Sequence, residues 1–236
     1  MMSEQAFFTL ENRDNILDLT MNAPGNNIMT ADFMTAFVDI VKELHKTAAE
    51  NSNIKGLIIH GSGRHFSVGA DVTSLMDRSV AELAEMERTG NLPEGFIVQK
   101  DCVTSFSKLN FPVVSVVNGF CIGSGSEIAA NTHFRICEPA TRAGQPESTF
   151  GILPALGGIT RSAALCGLAE AINIVMSGEL FTAEHAGKIG WADILCEKKQ
   201  GYATAVSLIE YINSTGTFDP SKRAEYVSGF LASEVA

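Results

Sequence analysis

Paired cysteines are missing from this chain. Cys102, Cys121, Cys137, Cys166 and Cys196 are widely scattered, with no CxxC pair. An odd, dispersed set in apolar surroundings argues against a disulfide framework and reads as reduced core thiols of a cytosolic protein. Positive charge is also scarce. Seventeen Lys and Arg against 27 Asp and Glu leave a formal net charge of -10. That balance argues against general binding to nucleic acid or to an anionic membrane, although a local basic patch for a phosphate remains compatible with it. The longest apolar stretches fall far short of a membrane span. The N-terminus lacks the basic, apolar and small-residue pattern of a signal peptide.

Several motifs are absent as well. No Gly-Lys-Ser or Gly-Lys-Thr closes a P-loop, and Gly123-Ser124-Gly125 is followed by Ile128 where a dinucleotide fingerprint needs glycine. His45, His60, His65, His133 and His185 show no HExxH spacing and no clustered carboxylates, so no metal site is expected. Gly123-Ser124-Gly125-Ser126-Glu127 puts an acid where a nucleophile elbow needs its second glycine.

What the chain does have is length and apolar content. Its 236 residues, 45% of them hydrophobic, suffice for one large domain or two modest ones. A hairpin is expected around Glu11–Asn15, a loop over Ala23–Asn27, and a helix capped by Thr30 that runs to about Glu50. Phe33, Met34, Phe37, Ile40, Val41 and Leu44 recur at helical spacing and read as a core face. Strands are expected over Ile54–His60, Val113–Val117 and Phe134–Cys137. Residues 71–94 read as helical pieces broken at Gly90 and Pro93. Phe96–Leu109 reads as a helix with Ile97, Val98, Cys102, Val103, Phe106 and Leu109 inward. The segments 158–177 and 182–213 read as mostly helical.

Two glycine-rich turns dominate the pattern. Gly61-Ser62-Gly63-Arg64-His65-Phe66-Ser67-Val68-Gly69-Ala70-Asp71 follows one strand, and Gly119-Phe120-Cys121-Ile122-Gly123-Ser124-Gly125-Ser126-Glu127 follows another. A strand that ends in glycines lets bare backbone N–H groups face a cleft, and two such turns can give two donors to one developing oxyanion. Strand, turn and helix recur at a separation of about sixty residues by eye, which suggests stacked strand–strand–helix units. Glu127 beside the second turn and Glu147 after Gly144-Gln145-Pro146 supply two carboxylates. Two acids in one dry pocket split their titrations, so that one gives a proton while the other takes one. Spacing alone favours two unrelated surface glutamates.

From about residue 15 to about 200 the chain resembles the crotonase (enoyl-CoA hydratase/isomerase) superfamily. The resemblance rests on Phe66-Ser67-Val68-Gly69-Ala70-Asp71, Asn118–Glu127, Gly144-Gln145-Pro146-Glu147, Gly151-Ile152-Leu153-Pro154 and Gly157-Gly158-Ile159-Thr160-Arg161. It implies an α/β fold, a spiral of ββα units with a small C-terminal helical region. Residues 1–180 would form the catalytic core and 181–236 a shortened helical trimerisation region, in a homotrimer or a dimer of trimers. It implies a cytoplasmic enzyme acting on an acyl-CoA thioester, with no separate cofactor because CoA arrives as part of the substrate.

By position, the oxyanion donors fall on the backbone of Ala70 and Ser124, with Val68, Gly69, Asp71 and Gly123 lining the substrate. Glu127 would deprotonate water and Glu147 would protonate the α-carbon, as in members that hydrate 2-enoyl thioesters. Members that only shift a double bond typically keep the acid at Glu147. The alternatives are therefore an isomerase, another crotonase-type acyl-CoA reaction such as carbon–carbon bond hydrolysis, or a non-catalytic scaffold or RNA-binding relative. Ser124 replaces a more usual glycine, and His133 stands where aspartate is common and reads as structural. The Ala23–Asn27 segment lacks a basic residue that often meets CoA. Lys188, Lys198, Lys199, Lys222 and Arg223 read as solvated surface charge.

Overall fold

Loose apolar alternation at the start of the chain builds a hairpin. In the computed structural model, which describes residues 6–73, 85–86, 88–90 and 94–234, β1 (Phe8–Arg13) pairs antiparallel with β2 (Ile16–Met21). Asp14 and Asn15 make the connection at φ 54° and 68°, the left-handed pair a two-residue hairpin favours and Asp and Asn tolerate. The expected loop at Ala23–Asn27 is a tight turn with Gly25, Asn26 and Asn27 all at positive φ.

Helix α1 (Ala31–Glu50) begins where the capping residue predicts. Thr30 accepts the Phe33 N–H at 3.2 Å, and Asp32 stands in the first turn. Phe33, Met34, Phe37, Val41 and Leu44 are buried, with Ile40 at the edge of the stripe. Burying each large apolar side chain contributes roughly 1.5–3 kcal/mol. Strand β3 (Gly56–Gly61) starts two residues later than expected, because the Ile54 N–H is drawn back to the Asn51 carbonyl at the end of α1.

Much of 71–94 lies outside the described residues; of the remainder, 72–73, 85–86, 88–89 and Glu94 are helical and Gly90 is a turn. Helix α2 (Glu94–Ser105) then runs into a 3-10 turn, Phe106–Lys108. Val103 and Phe106 are buried as expected, but Ile97 is 45% and Val98 36% exposed. Near its start this helix meets the core through Phe96, and Ile97 and Val98 fall on the face turned away from it.

Strand β4 (Val113–Val117) leads to β5 (Phe120–Ile122) and α3 (Ser124–Ala130). Strand β6 (Phe134–Cys137) leads to β7 (Arg142–Gly144), a 3-10 turn at Pro146–Phe150 and α4 (Gly158–Cys166). After α5 (Leu168–Ser177) come β8 (Phe181–Thr182), α6 (Ala183–Lys188), β9 (Ile194–Leu195), α7 (Gly201–Ser214) and α8 (Arg223–Ser233). The short strand β9 interrupts the 182–213 stretch expected to be helical, and β8 lies at its start.

The strands sort into two sheets. The larger has the order β1-β2-β3-β4-β6-β9, parallel from β2 onward; the smaller has the order β5-β7-β8. In each repeat the first strand joins the large sheet, the second joins the small one, and a helix follows. The chain therefore winds as stacked strand–strand–helix units, and each repeat delivers the end of its second strand to the same edge. From residue 181 the chain returns to these sheets: β8 pairs with β7, β9 pairs with β6, and α7 and α8 pack on Ile58, Val114, Phe134 and Ile136.

Polar anchors hold this packing. Asp18, 2% exposed, accepts bonds from Tyr202 on α7 at 2.9 Å and faces His60 Nε2 at 2.9 Å. The fully buried Arg135 guanidinium meets Asp193 at 2.6 Å, and Arg223 binds the other Asp193 oxygen. Arg223 is thus an ion-pair partner rather than a free surface charge, and Lys188 pairs with Glu184 at 2.7 Å. His133 is structural: Nδ1 accepts the Val113 N–H at 3.1 Å and Nε2 faces the Ser107 carbonyl at 3.2 Å. All five cysteines are free thiols. No helix among the described residues is long and apolar enough to cross a membrane.

Candidate active site

The two glycine turns lie side by side. Ser67 pairs with Cys121 in a parallel bridge, Ser67 N–H bonding the Phe120 carbonyl at 3.0 Å and Ile122 N–H bonding the Ser67 carbonyl at 3.1 Å. Both segments then run on in the same direction. Gly69, at φ 84°, presses on the second turn so closely that a Cβ there would lie 2.6 Å from the Ile122 carbonyl oxygen. Only glycine satisfies both the left-handed backbone and that approach.

Ala70 and Ser124 each stand three residues past the Ser67–Cys121 bridge. Met29 flanks the first turn, donating its N–H to Gly69 O at 2.8 Å and accepting Asp71 N–H at 3.1 Å. The Ala70 N–H between them has no acceptor among the described residues. Ser124 is the first residue of α3, where a helical N–H has no partner within its own helix. Its N–H also meets no acceptor among the described residues.

A shell of side chains fixes the first turn. Ser67 Oγ donates to the Asn27 carbonyl at 2.7 Å and accepts the Gly69 N–H at 3.0 Å. Asn27 in turn donates Nδ2 to Phe66 O at 2.9 Å and accepts Ala23 N–H at 2.8 Å. Val68 is half-buried, its N–H on Asn26 O at 3.3 Å. The Asp71 carboxylate accepts the Thr73 N–H and hydroxyl at 3.0 and 2.6 Å, so it serves the start of the following helical turn.

Glu127 is not a surface acid. It lies in α3, one turn beyond Ser124, and is 1% exposed. Its Oε1 accepts the backbone N–H groups of Leu156 at 2.7 Å and Gly158 at 2.8 Å. Gly158 must be glycine for this clasp: a Cβ there would lie 2.8 Å from Glu127 Cγ and 2.9 Å from Oε1. The other carboxylate oxygen accepts no hydrogen bond among the described residues. Burial pushes Glu127 up to about 8, and the nearby Glu147 charge adds to the rise, while the two amides and Lys100 oppose it.

Glu147 sits in the Pro146–Phe150 turn and is half-buried. Its carboxylate faces the second glycine turn, since a Cβ on Gly123 would lie 3.2 Å from Oε1. Burial pushes Glu147 up to about 7. Gln145 brings its amide nitrogen to 3.2 and 3.3 Å from the two Glu147 oxygens, and its amide group also lies 3.5 Å from Ser126 Oγ. Glu127, Glu147 and Gly123 are therefore brought together, with Ala70 and Ser124 on the turns that frame them. Sequence reasoning names Ser67, Gln145 and Gly158 only as members of the matched motifs, and assigns no supporting role to them, to Asn27 or to the Leu156 amide. The Gly157-Gly158 pair was the one signal that a close backbone approach was needed there.

A pocket with free backbone donors and two acids titrating near neutrality can stabilise an oxyanion and move protons on both sides of it. The family model for enoyl-CoA hydratase/isomerase matches residues 11–219. The fatty acid oxidation complex subunit alpha of Vibrio vulnificus is 34% identical over 197 residues, covering 81% of this chain and 26% of that protein. Its counterpart from Vibrio parahaemolyticus is 31% identical over 233 residues, covering 97% of this chain and 32% of that protein. The chain thus spans about a quarter to a third of the length of these relatives. Among solved structures, Pseudomonas aeruginosa DspI superposes with a TM-score of 0.74 at 23% identity, over 95% of this chain and 86% of that one. An enoyl-CoA hydratase from Bacillus anthracis does so with a TM-score of 0.75 at 19% identity, over 94% and 81%. The sheets, turns and matched motifs agree on one assignment: the chain belongs to the enoyl-CoA hydratase/isomerase family of the crotonase superfamily.

Proposed function

We propose that the protein adds water across the double bond of a 2-enoyl-CoA thioester, giving the 3-hydroxyacyl-CoA. The observation that carries this reading is the joint burial of two carboxylates, Glu127 and Glu147, beside a pair of turns with unused N–H groups. The amides of Ala70 and Ser124 receive the thioester oxygen. Glu127, aimed by Leu156 and Gly158, takes a proton from water as the water oxygen bonds to the β-carbon. The electron pair of the double bond moves to the thioester as an enolate, whose oxygen charge the two amides hold. Glu147 then gives its proton to the α-carbon and the thioester carbonyl reforms. Water is consumed, one proton enters and one leaves the carboxylate pair, and no redox partner is needed.

The electrostatics support a shared proton. Two acids raised to about 7 and about 8 hold one proton between them near neutrality, and hydration needs one ionised and one neutral. The two N–H bonds on Glu127 favour its anion, but burial outweighs them and leaves Glu127 the more protonated of the pair in the free protein, so its role as base rests on the aim of the clasp rather than on these values. Homotrimer or dimer-of-trimers assembly and a cytoplasmic setting belong to the same proposal. A double-bond isomerase relying on Glu147 is the second reading, and the intact clasp on Glu127 favours hydration over it. The test is a panel of 2-enoyl, 3-enoyl and aromatic CoA thioesters followed by mass spectrometry. Gain of one water on the 2-enoyl thioester supports hydration; conversion of the 3-enoyl thioester without water gain contradicts it.

A further inference from the structure

A buried amide stands between the two acids. Gln145, 1% exposed, follows β7 and precedes Pro146, whose ring fixes the backbone that leads into Glu147. The two side chains turn toward each other across that proline. The Gln145 amide nitrogen lies 3.2 Å from Glu147 Oε1 and 3.3 Å from Oε2, so one amide serves both oxygens. The opposite amide orientation would set an oxygen against two oxygens. On its far side the amide lies 3.5 Å from Ser126 Oγ, beside Glu127 in α3. Gly158 is pressed against the same group: a Cβ there would lie 2.8 Å from the Gln145 amide and 2.9 Å from Glu127 Oε1. The titratable group facing Glu147 from α3 is Glu127, whose proton affinity rises with the Glu147 charge. The Glu147 backbone N–H also serves its own carboxylate. From the other side, the end of α5 offers the Met176 carbonyl to Ser148, and Gly178 packs on Pro146 and Thr149; Glu179 beyond them is exposed.

We propose that Gln145 is a positioning residue for Glu147: it aims the carboxyl group and takes up the negative charge left there when the proton goes to the α-carbon. This rests on the hydration reading above. In that step the Glu147 O–H bond breaks, its electron pair stays on the carboxylate, and the proton forms the new C–H bond. The neutral acid offers the amide one good acceptor, and the anion offers two. The contact therefore strengthens as the proton leaves, and an interaction that strengthens along the reaction lowers its barrier. Burial disfavours charge on Glu147, so the anion gains from a donor already in place. The two acids thus have separate supports. Backbone amides of Leu156 and Gly158 hold Glu127, and a side-chain amide holds Glu147.

The experiment compares the full chain with Gln145→Met, which keeps the length of the side chain and removes its N–H groups. With crotonyl-CoA, kcat is expected to fall roughly 10–100-fold while a saturated acyl-CoA binds as before. Losing a donor to the anion raises the proton affinity of Glu147. Both limbs of the kcat/KM profile are therefore expected to move to higher pH, by about half a unit or more. A bell that stays in place overturns the proposal whatever happens to kcat, because a purely structural amide would leave it there. In the Glu147→Gln background, adding Gln145→Met must cost much less than in the wild type; equal cost in both also overturns it. Gln145→Asn, one methylene shorter, withdraws the donor but keeps a polar group, and must shift the bell in the same direction. It carries the comparison if the Met variant does not fold. If the wild type hydrates nothing, the hydration reading has failed and a titration decides this one. With glutamate labelled by carbon-13 at Cδ, and Glu147→Gln identifying the signal, the Glu147 midpoint must rise in Gln145→Met; an unchanged midpoint overturns the proposal.

Discussion

Ser67 pairs with Cys121, and that one parallel bridge sets the register of two turns far apart in sequence. Counting three residues forward on each strand reaches Ala70 and Ser124. Two backbone donors are thus fixed by strand pairing rather than by side chains, which leaves no rotamer to reorganise as charge develops on an oxygen between them.

Ser124→Pro isolates one of these donors. Proline is favoured at the first position of a helix, so α3 keeps its start while the N–H is removed. Loss of one oxyanion donor is expected to lower kcat about 10²–10³-fold with little change in thermal stability. Steady-state kinetics beside a melting curve checks this. Unchanged kcat would remove Ser124 from the site.

The pH–rate profile follows from the shared proton. The pair is singly protonated between about 7 and about 8. Below that window both acids are neutral and none accepts a proton; above it both are ionised and none donates. A narrow bell in kcat/KM is expected in that window, measured on the free enzyme. Bound substrate would move the limbs of kcat. A flat profile from pH 5 to 9 would exclude both acids from proton transfer.

Glu127 should weaken the fold at alkaline pH. Its folded-state value lies near 8 against an ordinary 4.5, so its neutral form is the one the native pocket favours. The wild type therefore loses stability relative to Glu127→Gln as pH rises from about 4.5 to about 8, with a plateau above. The difference is on the order of a few kcal/mol. Denaturant titrations at pH 4 and pH 9 test this: the two proteins should coincide at pH 4, and the variant should be the more stable at pH 9.

His133 has the opposite sense. Burial lowers it from 6.5 to about 4, and both ring nitrogens are used by the neutral form. Its contribution is present above 6.5 and is lost as pH falls toward 4, by up to about 3 kcal/mol. Denaturation midpoints from pH 7 to pH 4 should fall less steeply in His133→Gln than in the wild type.

The sequence made the large sheet and its main helix legible. Val113–Val117 and Phe134–Cys137 are short, mainly apolar runs, each broken by one polar residue (Ser115 and Arg135), and Thr30 announces α1 through its side-chain oxygen. The glycine turns were legible for the same local reason. The acid pair was not. Glu127 and Glu147 are twenty positions apart, and nothing local says that Leu156 and Gly158 fold back to cover the first of them. Only the motif resemblance carried that pairing. The short strands β8 and β9 were hidden because two residues carry no periodicity, and their pairing partners lie far away in sequence. Ile97 and Val98 misled for a related reason: apolar spacing marks a helix face but does not say whether the core lies against it.

Hydration of crotonyl-CoA by Glu127→Gln and Glu147→Gln, set beside the wild type, probes the carboxylate pair most directly. Each variant keeps the shape of the side chain and removes its proton chemistry. Loss of about 10²–10⁴-fold in kcat in both, with binding of a saturated acyl-CoA retained, is the expected result. Full activity in either one would contradict a mechanism that needs two acids.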